Sequence, residues 1–184
     1  MATFQNISKV NVAIDYIPED VCQRITSKIR SIDSTASGTE FNLWDHTKDD
    51  PDFEILKTAL TNAANELVRA DSNTVDQVRL ARAWPVSYKD YEAHAPHHHG
   101  GTFVVGVAYV DVSEDSGDLL VQDPLAAYNW INRNDKRTYG SCRASVPITP
   151  VTGMIVVMPG YLVHSTEPKP AGKRRLIIAT NFDN

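Results

Sequence analysis

His97-His98-His99-Gly100-Gly101-Thr102-Phe103-Val104-Val105-Gly106-Val107-Ala108-Tyr109-Val110-Asp111-Val112 is the stretch that decides the fold. Three histidines lead through two glycines into a β-branched run, and such runs favour strands. On an extended chain alternate side chains share a face, so His97 and His99 point one way and His98 the other. A His-x-His pair can therefore hand two adjacent ligands to one ion. Imidazole suits Fe, Zn, Cu or Ni, and a third ligand from a distant strand completes one face of an octahedron while leaving positions open. The triple histidine is internal and strand-linked, which argues against an expression tag. The natural third ligand is His164, at the end of Gly153-Met154-Ile155-Val156-Val157-Met158-Pro159-Gly160-Tyr161-Leu162-Val163-His164. A glycine turn, an apolar strand and a proline turn would present it at a barrel mouth. Taken alone, His164 before Ser165-Thr166-Glu167 also fits a surface or core histidine. His94 and His98 read as supporting or solvent residues, and His46, beside Trp44 and Asp45, as a surface residue.

Outward from this stretch, period-two and β-branched signals mark strands over Val75–Tyr88, Thr102–Val112, Asp118–Gln122, Ser141–Ile148, Gly153–Met158 and Arg174–Asn181. Turn chemistry separates them at Ser116-Gly117, Asn134-Asp135, Pro150 to Gly153, Pro159-Gly160 and Pro168 to Gly172. Upstream the period changes. Val21, Ile25, Ile29 and Ile32 form one helical stripe between Pro18 and Ile32. Asp50 can cap a second helix that starts at Pro51 and keeps its period through Phe53, Leu56, Leu60, Ala64, Leu67 and Val68 to about Arg69. Helices followed by six or more strands with short links predict a mainly β fold, a double-stranded β-helix (jelly-roll or cupin-like) core flanked by two helices. The 184 residues suit one domain, with 1–72 as the helical flank and 73–184 as the core.

A net charge of -5 and a pI near 5.6 give no basic field for duplex nucleic acid, and Lys173-Arg174-Arg175 is too short to reverse that. Cys22 and Cys142 offer neither a disulfide framework nor a zinc spacing; two reduced thiols fit a cytoplasmic protein. No segment reaches the ~20 apolar residues of a membrane span, and the start of the chain lacks a leader pattern.

The order of these features resembles the 2-oxoglutarate/Fe(II) oxygenase superfamily. The features are His97-x-His99, Val107-Ala108-Tyr109-Val110, Ser116-Gly117-Asp118-Leu119, Pro150-Val151-Thr152-Gly153, His164, and Arg175 through Asn181. The prolyl-hydroxylase-like branch carries His-x-Asp, Tyr-Leu, Gly-Gly-x-Leu, Pro-x-x-Gly, His and Arg in this order, and a phage and bacterial subgroup carries His-x-His. The resemblance spans roughly residues 75–184. It implies His97, His99 and His164 as iron ligands. It also implies Arg175 as the partner of the distal carboxylate of 2-oxoglutarate through a paired guanidinium contact, with Tyr109 supporting that carboxylate. Arg174 is the adjacent alternative, on the opposite face from Arg175, Ile177, Ala179 and Asn181; either arginine also fits a solvated strand end. Position 99 departs from the family's usual carboxylate. Either the site uses three histidines, or an acid such as Asp111 or Asp118 serves, though neither has the right offset from His97.

The resemblance implies hydroxylation of a C–H bond coupled to conversion of 2-oxoglutarate to succinate and CO2, with iron(II) as cofactor and ascorbate as a reductant. Two other readings fit the histidines: a cupin-type metal enzyme without 2-oxoglutarate, and a non-catalytic jelly-roll binding module. Against the cupin stands the absence of a glutamate after His99, where the chain reads Gly100-Gly101-Thr102-Phe103. Against a structural zinc stands the count of three convincing ligands, where closed sites take four. Trp84, Tyr88, Tyr91 and Trp130, the last within Pro124 to Thr138, either line the barrel mouth or fill the core. The expected substrate is a small molecule or a peptidyl side chain, and a homodimer is the default assembly.

Overall fold

A computed structural model describes residues 10–32, 41–71, 77–124 and 145–184. In chain order its elements begin with β1 (Ala13–Tyr16), α1 (Glu19–Ser31), the short α2 (Leu43–His46) and α3 (Pro51–Asp71). They continue with β2 (Arg79–Ser87), β3 (Val104–Val112), β4 (Leu119–Gln122), β5 (Ser145–Ile148), β6 (Met154–Pro159), β7 (His164–Thr166) and β8 (Arg175–Asp183).

The alternation in Val104–Val112 builds the middle of the structure. β3 lies at the centre of a five-stranded antiparallel sheet of order β1-β6-β3-β8-β2, and a three-stranded sheet of order β5-β4-β7 faces it. Val104, Ala108 and Val110 join a core with the helices, whereas Val105, Val107 and Tyr109 join a second core with Val121 and Met158. β6 and β8 split the same way, with Ile155, Val157, Ile178 and Phe182 toward the helices and Val156, Met158 and Ile177 between the sheets. The fold is thus the expected jelly-roll core with helices packed on the outer face of its larger sheet.

The two long helices follow their sequence patterns. α1 buries Val21, Ile25 and Ile29, and the Thr26 hydroxyl donates to the Val110 carbonyl at 3.1 Å, which pins the helix to β3. Asp50 caps α3, accepting from the Asp52 and Phe53 amides at 3.0 and 3.5 Å. Lys28 reaches both Asp50 at 2.7 Å and Asp52 at 2.6 Å, tying the two helices together. The Lys28 ammonium, helped by Arg24, holds the Asp52 carboxyl below its usual range despite the opposing effect of burial. Replacing Asp50 with alanine removes the cap and one arm of this bridge. The expected loss is about 1–2 kcal/mol in urea unfolding; an unchanged midpoint contradicts the capping role.

Three differences from the sequence reading stand out. The first strand precedes the helices: Val10, Val12, Ile14 and Tyr16 do alternate, and β1 pairs with β6 along the sheet edge. His164 lies within a short strand, β7, rather than after one, and the single turn of α2 adds a third helix. The expected strands at Val75–Tyr88 and Ser141–Ile148 appear as β2 and β5; residues 75–76 and 141–144 lie outside the described residues, as do Asn134-Asp135, Trp130 and Cys142.

Candidate metal centre

The segment before β3 carries the first two histidines and hydrogen-bonds along the outer edge of β7. Tyr91 N–H donates to the Lys169 carbonyl at 2.7 Å, and Thr166 N–H donates to the His94 carbonyl at 3.1 Å. His97 and His164 exchange both backbone bonds at 3.0 and 2.9 Å, and His99 N–H reaches the Gly160 carbonyl at 2.9 Å. Backbone pairing therefore puts residue 97 beside residue 164. A Cβ on Gly160 would meet the Thr102 carbonyl oxygen at 2.0 Å, so only glycine lets the chain pass this close to the histidine segment.

Three rings converge as a result. The His97 centroid lies 4.4 Å from that of His164, and His99 lies 5.3 Å from each. One nitrogen from each ring falls within 4.8 Å of the others, a spacing that a single ion with bonds of about 2.1 Å can draw together by small side-chain rotations. The outer nitrogen of every ring is already committed. Nδ1 of His97 pairs with the Ala95 carbonyl at 2.8 Å, Nδ1 of His164 with the Leu162 carbonyl at 3.0 Å, and Nδ1 of His99 with Oδ1 of Asn181 at 2.9 Å. Each acceptor oxygen requires a proton on Nδ1, which leaves the lone pair on Nε2 for a metal. Burial pushes His164 down to about 4 and lowers His99 as well, so both rings are neutral near pH 7. The donor set thus fits a divalent ion that takes imidazole.

No carboxylate joins these rings among the described residues. Asp111, one of the two acids considered, spends its oxygens on Arg30 at 2.8 Å and Arg174 at 2.9 Å at the protein surface. Asp118 is not part of the cluster. Arg174 is accordingly a surface ion-pair partner, and Arg175 is the arginine beside the histidines.

A cavity between the sheets opens from the histidines and is lined by Trp84, Tyr88, His94, Tyr109 and Arg175. Arg175 is 3% exposed and forms no ion pair with an acid among the described residues. Its terminal nitrogens are saturated by backbone: Nη1 donates to the Ser116 and Gly117 carbonyls at 3.0 and 3.3 Å, and Nη2 to the Glu92 and Glu167 carbonyls at 3.2 and 2.8 Å. The guanidinium lies 4.0 Å above the Tyr88 ring, and Nε has no partner. This revises the expected paired contact with a carboxylate, because only Nε remains to donate. Buried Tyr109, whose hydroxyl burial keeps protonated, lines the same cavity.

Several supporting residues carry no local sequence signal. Tyr88 both underlies Arg175 and hydrogen-bonds Nδ1 of His94 at 2.7 Å. Asn181 orients His99 from the inner face of β8, and the period-two rule that puts it beside Arg175 could have marked it. Gly117 sits at φ 93°, and a Cβ there would stand 2.9 Å from Nη1 of Arg175 and 3.1 Å from the Pro168 carbonyl oxygen. Gly117→Ala should therefore cost about 1–3 kcal/mol and displace the guanidinium; unaltered thermal unfolding together with unaltered 2-oxoglutarate affinity contradicts that cradle. His46 is exposed and stacks on Phe41, and His98 is exposed, as expected of residues outside the site.

The jelly roll thus brings three imidazoles together beside a buried guanidinium, the donor set that a metal-dependent oxygenase needs. A family profile described as "Putative 2OG-Fe(II) oxygenase" matches residues 82–181, more than half of the chain. The chain belongs to this family. Its fold is similar to a prolyl-4-hydroxylase from Pseudomonas putida (14% identity, TM-score 0.62, covering 95% of this chain and 86% of that one). It is also similar to the viral collagen prolyl hydroxylase of Paramecium Bursaria Chlorella virus-1 (11%, 0.61, 93% and 94%). A third similar fold is HygX of Streptomyces hygroscopicus with nickel and 2-oxoglutarate bound (14%, 0.62, 94% and 82%). A search of curated protein sequences finds no significant match.

Proposed function

We propose that this chain is an iron(II)- and 2-oxoglutarate-dependent hydroxylase of a small-molecule or peptidyl substrate, releasing succinate and CO2. The observation that carries the reading is the convergence of three histidine rings beside a buried guanidinium whose Nε is unpartnered and which, among the described residues, has no acidic partner. Iron(II) supplies the oxidative decarboxylation and C–H oxidation, and every other element is the chain's. His97, His99 and His164 hold the ion, their Nδ1 protons anchored so that the rings cannot swing away. Nε of Arg175 and the Tyr109 hydroxyl are the donors for the distal carboxylate of the cosubstrate. A buried cation without an anion is costly, so a dianion that enters the cavity relieves it. The apolar walls, Val105, Val107, Leu119 and Ile177, exclude water from the reacting centre.

The unpartnered Nε of the buried guanidinium favours this reading over a cupin-type enzyme or an inert module, neither of which has use for that donor. Among the described residues no helix is long and apolar enough to cross a membrane. Cys22 is buried with its thiol pushed up to about 11, which keeps it protonated and unreactive. The test is direct: protein supplied with iron(II), ascorbate and oxygen should convert 2-oxoglutarate to succinate in proportion to bound iron. Metal uptake without any oxygen-dependent loss of 2-oxoglutarate would count against it.

A further inference from the structure

We infer that the substrate of this site carries a negatively charged group, and that the neutral ligand at position 99 is what selects it. The inference rests on the iron and 2-oxoglutarate reading above and concerns how charge balances in the cavity.

Among the described residues no acid lines the cavity. Its lining consists of histidines, Tyr88, Tyr109, Thr166, Arg175 and apolar side chains. Glu92 and Glu167, whose charges act on Arg175, are exposed, and their carboxylates accept from the Lys89 and Asp118 amides. Both hydrogen-bond the guanidinium through their main-chain carbonyls rather than their carboxylates. The two tyrosines are kept neutral by burial. Iron(II) with Arg175 then places three positive charges between the sheets, and 2-oxoglutarate supplies two negative ones. A carboxylate ligand at position 99 would neutralise the remainder; His99 does not. Its Nδ1 partner is the amide of Asn181 rather than an acid, so the bond behind the ring brings no negative charge. An unbalanced charge in a low-dielectric site attracts an anion strongly, whether a small carboxylate or a single charged arm of a larger molecule.

The test uses the cobalt(II) protein saturated with 2-oxoglutarate, titrated with azide and with acetate and read from the visible cobalt spectrum. Wild type should bind both anions at least about tenfold more tightly than His99→Asp, which restores the missing negative charge. Asn181→Asp leaves the three imidazoles in place and adds charge behind His99, so it should weaken anion binding in the same direction. It carries the test if the ligand variant fails to fold. Equal anion affinity in wild type and both variants, with cobalt and 2-oxoglutarate still bound, overturns this inference and leaves the oxygenase reading standing. Failure of wild type to take up cobalt overturns both.

Discussion

His164→Ala should fold and yet lose 2-oxoglutarate turnover by at least about 100-fold, because a two-imidazole site holds iron too weakly. The fold survives because the ring's only other bond is from Nδ1 to the Leu162 carbonyl, and its loss costs about 1–2 kcal/mol. Backbone pairing between β7 and the His97 segment involves main-chain atoms that alanine retains. Loss of activity should therefore track loss of bound metal, measured by elemental analysis of the purified variant. Turnover that persists in His164→Ala would remove this residue from the ligand set.

Arg175→Lys is the second large effect. Lysine keeps the charge but offers one ammonium where the guanidinium serves four carbonyls and retains a further donor. With three donors for four carbonyls, at least one carbonyl would lose its partner, at about 1–3 kcal/mol. The thermal midpoint should fall by several degrees. The KM for 2-oxoglutarate should rise at least about tenfold, with metal affinity unchanged within about twofold. The split between cosubstrate and metal distinguishes a binding role from a scaffold role. A variant that is merely less stable, with wild-type KM, would make Arg175 a structural residue.

Much of this arrangement follows from one periodic rule applied to a few stretches. Alternation puts His97 and His99 together, and Arg175, Ile177 and Asn181 on one face, without knowledge of the fold. The helical stripes of α1 and α3 are equally local, as is the Asp50 cap. What is not local is pairing. Nothing in Tyr91 to His99 announces that it lies along β7, because isolated bridges and irregular hydrogen bonds leave no pattern in side-chain polarity. The strand β1 did leave one, in Val10, Val12, Ile14 and Tyr16, but its polar neighbours and short length weaken the signal. Position 99 illustrates the remaining limit. The sequence offers Asp111 as a substitute ligand, and only the coordinates show it held between Arg30 and Arg174. Likewise the four carbonyls around Arg175 come from residues 92, 116, 117 and 167, distant in the chain and identical in chemistry to every other peptide group.

The most direct measurement is X-ray absorption at the iron edge of the anaerobic iron(II) protein without cosubstrate. Three imidazole shells, with nitrogen near 2.1 Å and the outer-ring scattering of histidine, are expected in wild type, falling to two in His99→Ala. A spectrum fitted by two imidazoles and a carboxylate in wild type, unchanged by that substitution, contradicts a site built from His97, His99 and His164.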